Sequence, residues 1–129
     1  MKRVLGIDYG SKRLGFALGD PLTGVAVPID TVELNGADPV KLVWGMIERD
    51  QYDHVVVGTP LSVDGEVTSM SERVEKFAES LRQVAKIEVS LINEHLTSKV
   101  ADMLSKESGS SVHDDAIAAM LITQEFLNK

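Results

Sequence analysis

The chain opens on alternating rather than helical hydrophobicity. Val4 to Ile7 is a short apolar run that stops at Asp8. A turn is predicted at Tyr9-Gly10-Ser11-Lys12. Beyond it Leu14, Phe16 and Leu18 alternate with Gly15, Ala17 and Gly19, the period of a strand. Pro21 to Gly24 reads as a second turn, and Val25 to Val32 as a third β-rich run. Turns this short between consecutive strands imply an antiparallel meander.

The period then changes. Asp38-Pro39 has the form of a helix start, an N-cap acid with proline in the first turn, and Val40, Val43, Trp44 and Ile47 follow at helical spacing. His54-Val55-Val56-Val57-Gly58 is a continuous β-branched run, as a strand covered on both faces requires. Ser69-Met70-Ser71-Glu72 fits a capping box, and Met70, Val74, Phe77, Ala78, Leu81 and Val84 form a helical stripe behind it. Ile87 to Ile92 predicts a fifth strand. Thr97 can cap a helix carrying Val100, Met103 and Leu104, and a Gly/Ser loop at Ser108 to Ser111 precedes a last helix from about Val112 to Leu127. The order is βββ, then αβαβ, then αα. Three antiparallel strands feeding two parallel βα units make an α/β fold, a five-stranded mixed sheet flanked by helices. In such sheets chemistry gathers at the carboxyl ends of the parallel strands.

Composition narrows the classes. The 129 residues suit a single domain over 1–129, and 43% hydrophobic with 26% charged residues is globular rather than disordered, collagenous or coiled-coil. Thirteen basic against 20 acidic side chains leave a net charge of −7, which excludes a general nucleic-acid coat but not local positive charge or bound cations. The absence of cysteine excludes disulfide scaffolds, thiolate zinc sites and cysteine nucleophiles. No apolar run is long enough for a membrane span, and the start meets Asp8 too early for a signal peptide, so a cytoplasmic protein is expected.

Three acids sit at predicted element ends: Asp8 after the first strand, Glu94 just after the fifth, and Asp115 in the first turn of the last helix. Their convergence would be unfavourable unless a cation joined them, and all-oxygen ligands suit Mg²⁺ or Mn²⁺. Two such ions can clamp a phosphodiester. Plainer readings stand beside this one. An Asp before Gly is often an Asx turn, Glu94 can be a solvated loop residue, and Asp114 and Asp115 both favour a helix N-terminus. Adjacent helical residues diverge by about 100°, so Asp114 is assigned to the cap and Asp115 to the site. The histidines His54, His95 and His113 lack metal-ligand spacing, and His54 reads as a strand-entry residue. Of the basic residues, Lys12 and Arg13 lie near the first acid, Arg73 and Lys76 share a helix, and Lys99 follows Glu94. The two arginines suit phosphate best, because a guanidinium engages it bidentately.

These residues resemble a known family. Gly6-Ile7-Asp8-Tyr9-Gly10-Ser11-Lys12-Arg13-Leu14-Gly15-Phe16-Ala17 is similar to the opening signature of the YqgF (RuvX) family, the Holliday junction resolvase and pre-16S rRNA nuclease group. Val57-Gly58-Thr59-Pro60-Leu61 with Asp64-Gly65 resembles its second motif, Glu94 with Leu96-Thr97 its third, and Asp115-Ala116-Ile117-Ala118-Ala119 its last. The resemblance spans essentially the whole chain, in order. It implies an RNase H-like fold and a metal-dependent phosphodiesterase whose catalytic, metal-holding triad is Asp8, Glu94 and Asp115, with Mg²⁺ or Mn²⁺. Lys12, Arg13, Arg73 and His95 are the expected substrate contacts. The implied partners are nucleic acid, either an rRNA precursor or branched DNA, and ribosomal particles, with no membrane, on a monomer or weak homodimer. One departure matters. Where the family has Asp-Glu-Arg before Leu-Thr-Thr, this chain has Asn93-Glu94-His95 before Leu96-Thr97-Ser98. The central Glu is kept, but an acid has become an amide and a fixed cation a titratable one.

Two competitors follow from the same residues. Gly6-Ile7-Asp8-Tyr9-Gly10 also resembles the first phosphate loop of the actin, Hsp70 and sugar-kinase ATP-binding domains, but those close two lobes around nucleotide and 129 residues make one. The altered third motif and the acidic balance also suit a non-catalytic nucleic-acid-binding protein.

Overall fold

The computed structural model describes residues 1–59, 69–93 and 114–129. Strands β1 (Val4–Tyr9), β2 (Arg13–Asp20) and β3 (Val25–Glu33) form the expected antiparallel meander. β4 (His54–Thr59) and β5 (Glu88–Asn93) extend it in parallel from the other side of β1. The sheet order is β3-β2-β1-β4-β5, so β1 is central and β5 is its second neighbour. Helices α1 (Pro39–Asp50) and α2 (Ser69–Ala85) cover one face, and α3 (Asp114–Leu127) lies across the other. The strand at 87–92 is shifted by one residue, and α3 is described from Asp114 rather than Val112. The motif residues Pro60, Leu61, Asp64 and Gly65 fall outside the described residues. So do Glu94, His95, Lys99 and His113, the helix expected behind Thr97, and the Gly/Ser loop.

The alternation read in β1 is the device that makes two layers. Leu5 and Ile7 turn toward α1 and α2, where they are buried with Leu14, Phe16, Val57 and Leu81. Val4 turns the other way and is buried with Val56, Ile92 and Ile122 of α3. Both faces of β4 are therefore covered, which is why its run is unbroken by polar residues. At α1, Asp38 caps as its sequence suggests, its Oδ1 accepting from Val40 N at 2.9 Å. The apolar stripe was wider in the pattern than in the fold. Trp44 and Val84 are 40% and 41% exposed, and the Trp44 indole donates to Glu48 Oε1 at 3.2 Å. Each stands one residue along from a position that faces inward, about 100° around its helix.

Helix α3 comes closest to the sheet where glycines stand beneath it. A Cβ at Gly6 would meet Thr123 and the Ala119 carbonyl, one at Gly19 would meet Thr123 and Leu127, and one at Gly15 would overlap the backbone of Asp115. These glycines lie on one face of β1 and β2 and form a trough. The far end of α3 is held by Gln124, whose side-chain amide spans to β3: Oε1 accepts from Ala26 N at 3.0 Å and Nε2 donates to Gly24 O at 2.7 Å. β3 itself is the outer edge of the sheet. It exposes Val25, Val27 and Ile29, and carries Pro28 beside a register irregularity at Phe16/Ala17 of its partner strand.

His54 enters β4 as expected and is buried, 7% exposed. Its ring stacks on Phe126 with centroids 4.9 Å apart, and Nε2 meets Ser90 Oγ at 2.9 Å. Burial holds its pKa below the ordinary value, outweighing the opposing pull of Glu88, 3.6 Å away, and of Asp53. A histidine depressed in the fold favours the neutral ring there. Its stabilisation is complete above the unfolded value of about 6.5 and is lost as pH falls through the lower folded value. The melting temperature of the wild type is therefore expected to fall faster below about pH 6.5 than that of His54→Gln. Parallel curves in a pH series of thermal melts would refute this.

Candidate active site

Alternation along β1 carries Asp8 to the same face as Val4 and Gly6, the face on which α3 lies. In register Asp8 stands between Gly15 of β2 and Gly58 of β4. Neither neighbour has a side chain, so the carboxylate is flanked by bare backbone at the carboxyl end of the central strand. The backbone and Cβ of Asp115 rest over Gly15, next to Asp8. The sheet and the first turn of α3 thus bring together two acids 107 residues apart in sequence, from 115 − 8. Both are half-buried, the Asp115 side chain 25% exposed.

Arg13 opens β2 two residues before Gly15, hence on the same face. Its Nε donates to Asp115 Oδ2 at 2.5 Å. Of the expected substrate contacts among the described residues, it is the one the fold joins to the acids. Lys12 is exposed in the adjoining hairpin, where Ser11, Arg13, Glu33 and Asn35 line a cleft of about 310 Å³. The hairpin is tight because position 10 is glycine: a Cβ there would come within 2.6 Å of the Arg13 carbonyl. Arg73 is not part of this group. It lies on α2, on the opposite face of the sheet, in a groove shared with Tyr9.

β4 separates β1 from β5, so the end of β5 at Asn93 stands about 10 Å across the sheet from β1 at ordinary strand spacing. Glu94 is the next residue in sequence. Among the described residues no group of three metal-ligating side chains forms a complete cage. The donors that are described do fit a hard divalent cation. Asp8 and Asp115 offer carboxylate oxygens, the chain has no thiolate, and Asp115 already associates with a positive group, the Arg13 guanidinium.

The glycine trough was not singled out in the sequence, although Gly6, Gly15 and Gly19 are its signal: three glycines that the strand period sends to one face. The Tyr9 groove was also missed, because Tyr9 was assigned to a turn rather than to the end of β1.

A five-stranded mixed sheet of this order, with acids on its central strand and its last helix, defines an RNase H-like α/β domain. The fold is similar to that of Thermus thermophilus RuvC in complex with Holliday junction substrate, with a TM-score of 0.58 at 18% identity over 98% of this chain and 94% of that one. The family model for RuvX, described as Holliday junction resolvase, matches residues 2–129, and the chain belongs to the RuvX family. A relative from Chlorobium chlorochromatii is 40% identical over 136 residues, covering 99% of this chain and 96% of the relative. Another from Rickettsia typhi is 36% identical over 131 residues, covering 97% and 84%. Both are named "Putative pre-16S rRNA nuclease".

Proposed function

We propose that this protein is a metal-dependent endonuclease that hydrolyses nucleic-acid phosphodiesters in the 5′-end maturation of pre-16S rRNA. The observation that carries the reading is the adjacency of Asp8 and Asp115 across Gly15, at the end of the central strand. The names of the two relatives supply the substrate.

In this reading Asp8, Asp115 and Glu94 hold Mg²⁺ or Mn²⁺, in a two-ion arrangement. Bound there, such ions would supply an acidified attacking water and stabilise the leaving oxygen. The rest falls to the chain. Gly15 lets the backbone of Asp115 close on one flank of Asp8, and Gly58 adds no side chain on the other. Arg13 balances the charge of Asp115 before substrate arrives, and its fork can then turn to a phosphate oxygen. Lys12 adds positive charge at the hairpin, and His95, the next residue after Glu94 in sequence, would be a further contact, with a titratable ring where the family has arginine. Cleavage in a His95→Arg variant is expected to show a flatter pH profile than the wild type.

A second reading, resolution of four-way DNA junctions, is favoured by the description of the matching family model. Both substrates use similar metal geometry, and the 2′-hydroxyl and groove shape decide between them. The purified protein with Mg²⁺ or Mn²⁺ is to be offered precursor rRNA and four-way junctions. Cleavage of the precursor, abolished by a chelator and by Asp8→Asn, supports the first reading; junction cleavage with the precursor left intact supports the second. Cleavage that survives Asp8→Asn would refute both.

A further inference from the structure

We infer that the groove between α1 and α2, at the end of β1, is a subsite for one nucleotide of a single-stranded nucleic-acid segment, with Arg73 and Lys76 taking its phosphate and Tyr9 its base. The inference rests on the proposed nuclease function and extends it to the face of the sheet opposite Asp8.

The groove is a wide-open surface depression of about 270 Å³, lined by Tyr9, Val40, Arg73, Lys76, Phe77 and Ser80 together with Pro39. That space suits a base and its sugar, not a duplex. Tyr9 is half-buried, and its ring lies against Phe77, with centroids 4.9 Å apart and planes tilted by 46°. Phe77 is only 4% exposed, so it braces the tyrosine from the core side. A ring already held in place loses little conformational freedom when a base lies on it, and stacking is tolerant of base identity.

The charge is sorted to match. Arg73, Lys76 and Ser80 recur at helical spacing and line the groove. Glu72, Glu75 and Glu79 follow the same spacing one residue earlier, about 100° around the helix. Arg82, further along, is engaged by Glu79 and the Val89 carbonyl. Among the described residues neither Arg73 nor Lys76 has an ion pair. In a chain of net charge −7, Arg73 and Lys76 still place two adjoining cations beside the Tyr9 ring. Basic and aromatic side chains together are the combination that holds single strands, whereas a duplex keeps its base faces hidden.

Position ties the groove to the acids. Tyr9 follows Asp8 directly, so their Cα atoms are about 3.8 Å apart while their side chains leave opposite faces. A strand with one phosphate at Asp8 reaches the groove by passing over the end of β1.

The test is binding of a short fluorescein-labelled single strand, as RNA and as DNA, followed by anisotropy across a salt series with chelator present. Chelation removes cleavage from the measurement. The exposed pair is changed together, Arg73→Gln with Lys76→Gln, and thermal melts confirm that the variant folds. Affinity is expected to fall at least about tenfold, and the log–log salt slope to shrink by about 0.7, the share of one single-strand phosphate. Tyr9→Leu should lose about fivefold or more while Tyr9→Phe binds as the wild type. Unchanged affinity and slope in the double variant would overturn the subsite. An equal loss on blunt duplex would also overturn it. If the wild type fails to cleave with metal yet the double variant loses single-strand binding, the nuclease reading falls and the groove stands. If cleavage depends on Asp8 while the double variant binds normally, the groove alone falls.

Discussion

Gly15→Ala is expected to lose most of its activity and about 3 kcal/mol of stability, at the upper end of the cost of overpacking a tight contact. The added methyl would meet the carbonyl and Cβ of Asp115, not the far end of a flexible side chain. Relief is possible only if α3 lifts from the sheet, and lifting moves Asp115 away from Asp8. Stability and activity therefore fall together. For a chain this size the melting temperature should drop by roughly 10 °C. Gly45→Ala is the matched contrast. Gly45 lies inside α1 with open space where its Cβ would be, so alanine there should stabilise by about 0.5–1 kcal/mol. Differential scanning calorimetry and a cleavage assay on both variants decide the matter. A Gly15→Ala protein that melts and cleaves like the wild type would mean that α3 is not seated as described.

Asp115→Asn is expected to lower the cleavage rate at saturating metal by at least about 100-fold, since charge stabilisation at such a site is worth several kcal/mol and each 1.36 kcal/mol is tenfold. Its stability should stay within about 1 kcal/mol of the wild type. The ion pair it loses is partly exposed, with Arg13 55% in solvent, and such pairs contribute little. The neighbouring Asp114→Asn, one position along the same helix, should retain nearly full activity. Equal losses in the two would overturn the assignment within the pair. Single-turnover rates with metal titrated separately distinguish weaker metal binding from slower chemistry.

The strands were legible because burial imposes a period of two, and the β-branched run at Val55 to Val57 needed no partner to declare itself. The acids Asp8 and Asp115 were legible as element ends. Their convergence stood among plainer readings and was named as a triad only through the resemblance, because it depends on an absence: the missing side chains at Gly6, Gly15 and Gly19, each unremarkable within its own strand. Only the register that sets Asp8 opposite Gly15 gives that absence a meaning. The place of Arg73 was not legible either. Its suitability for phosphate is a matter of side-chain chemistry, and sequence distance says nothing about which face of the sheet its helix covers. Trp44 and Val84 show the limit of apolar periodicity, which locates a helix more surely than the width of its buried stripe.

The outer strand β3 bears on how the protein behaves at high concentration. Its three exposed aliphatic side chains would make a flat edge adhesive, and a bare row of peptide donors invites a foreign strand to join. Pro28 deprives that row of one donor, and the displaced register beside it bends the template. A valine at position 28 would restore the missing hydrogen and leave that margin less guarded against a joining strand.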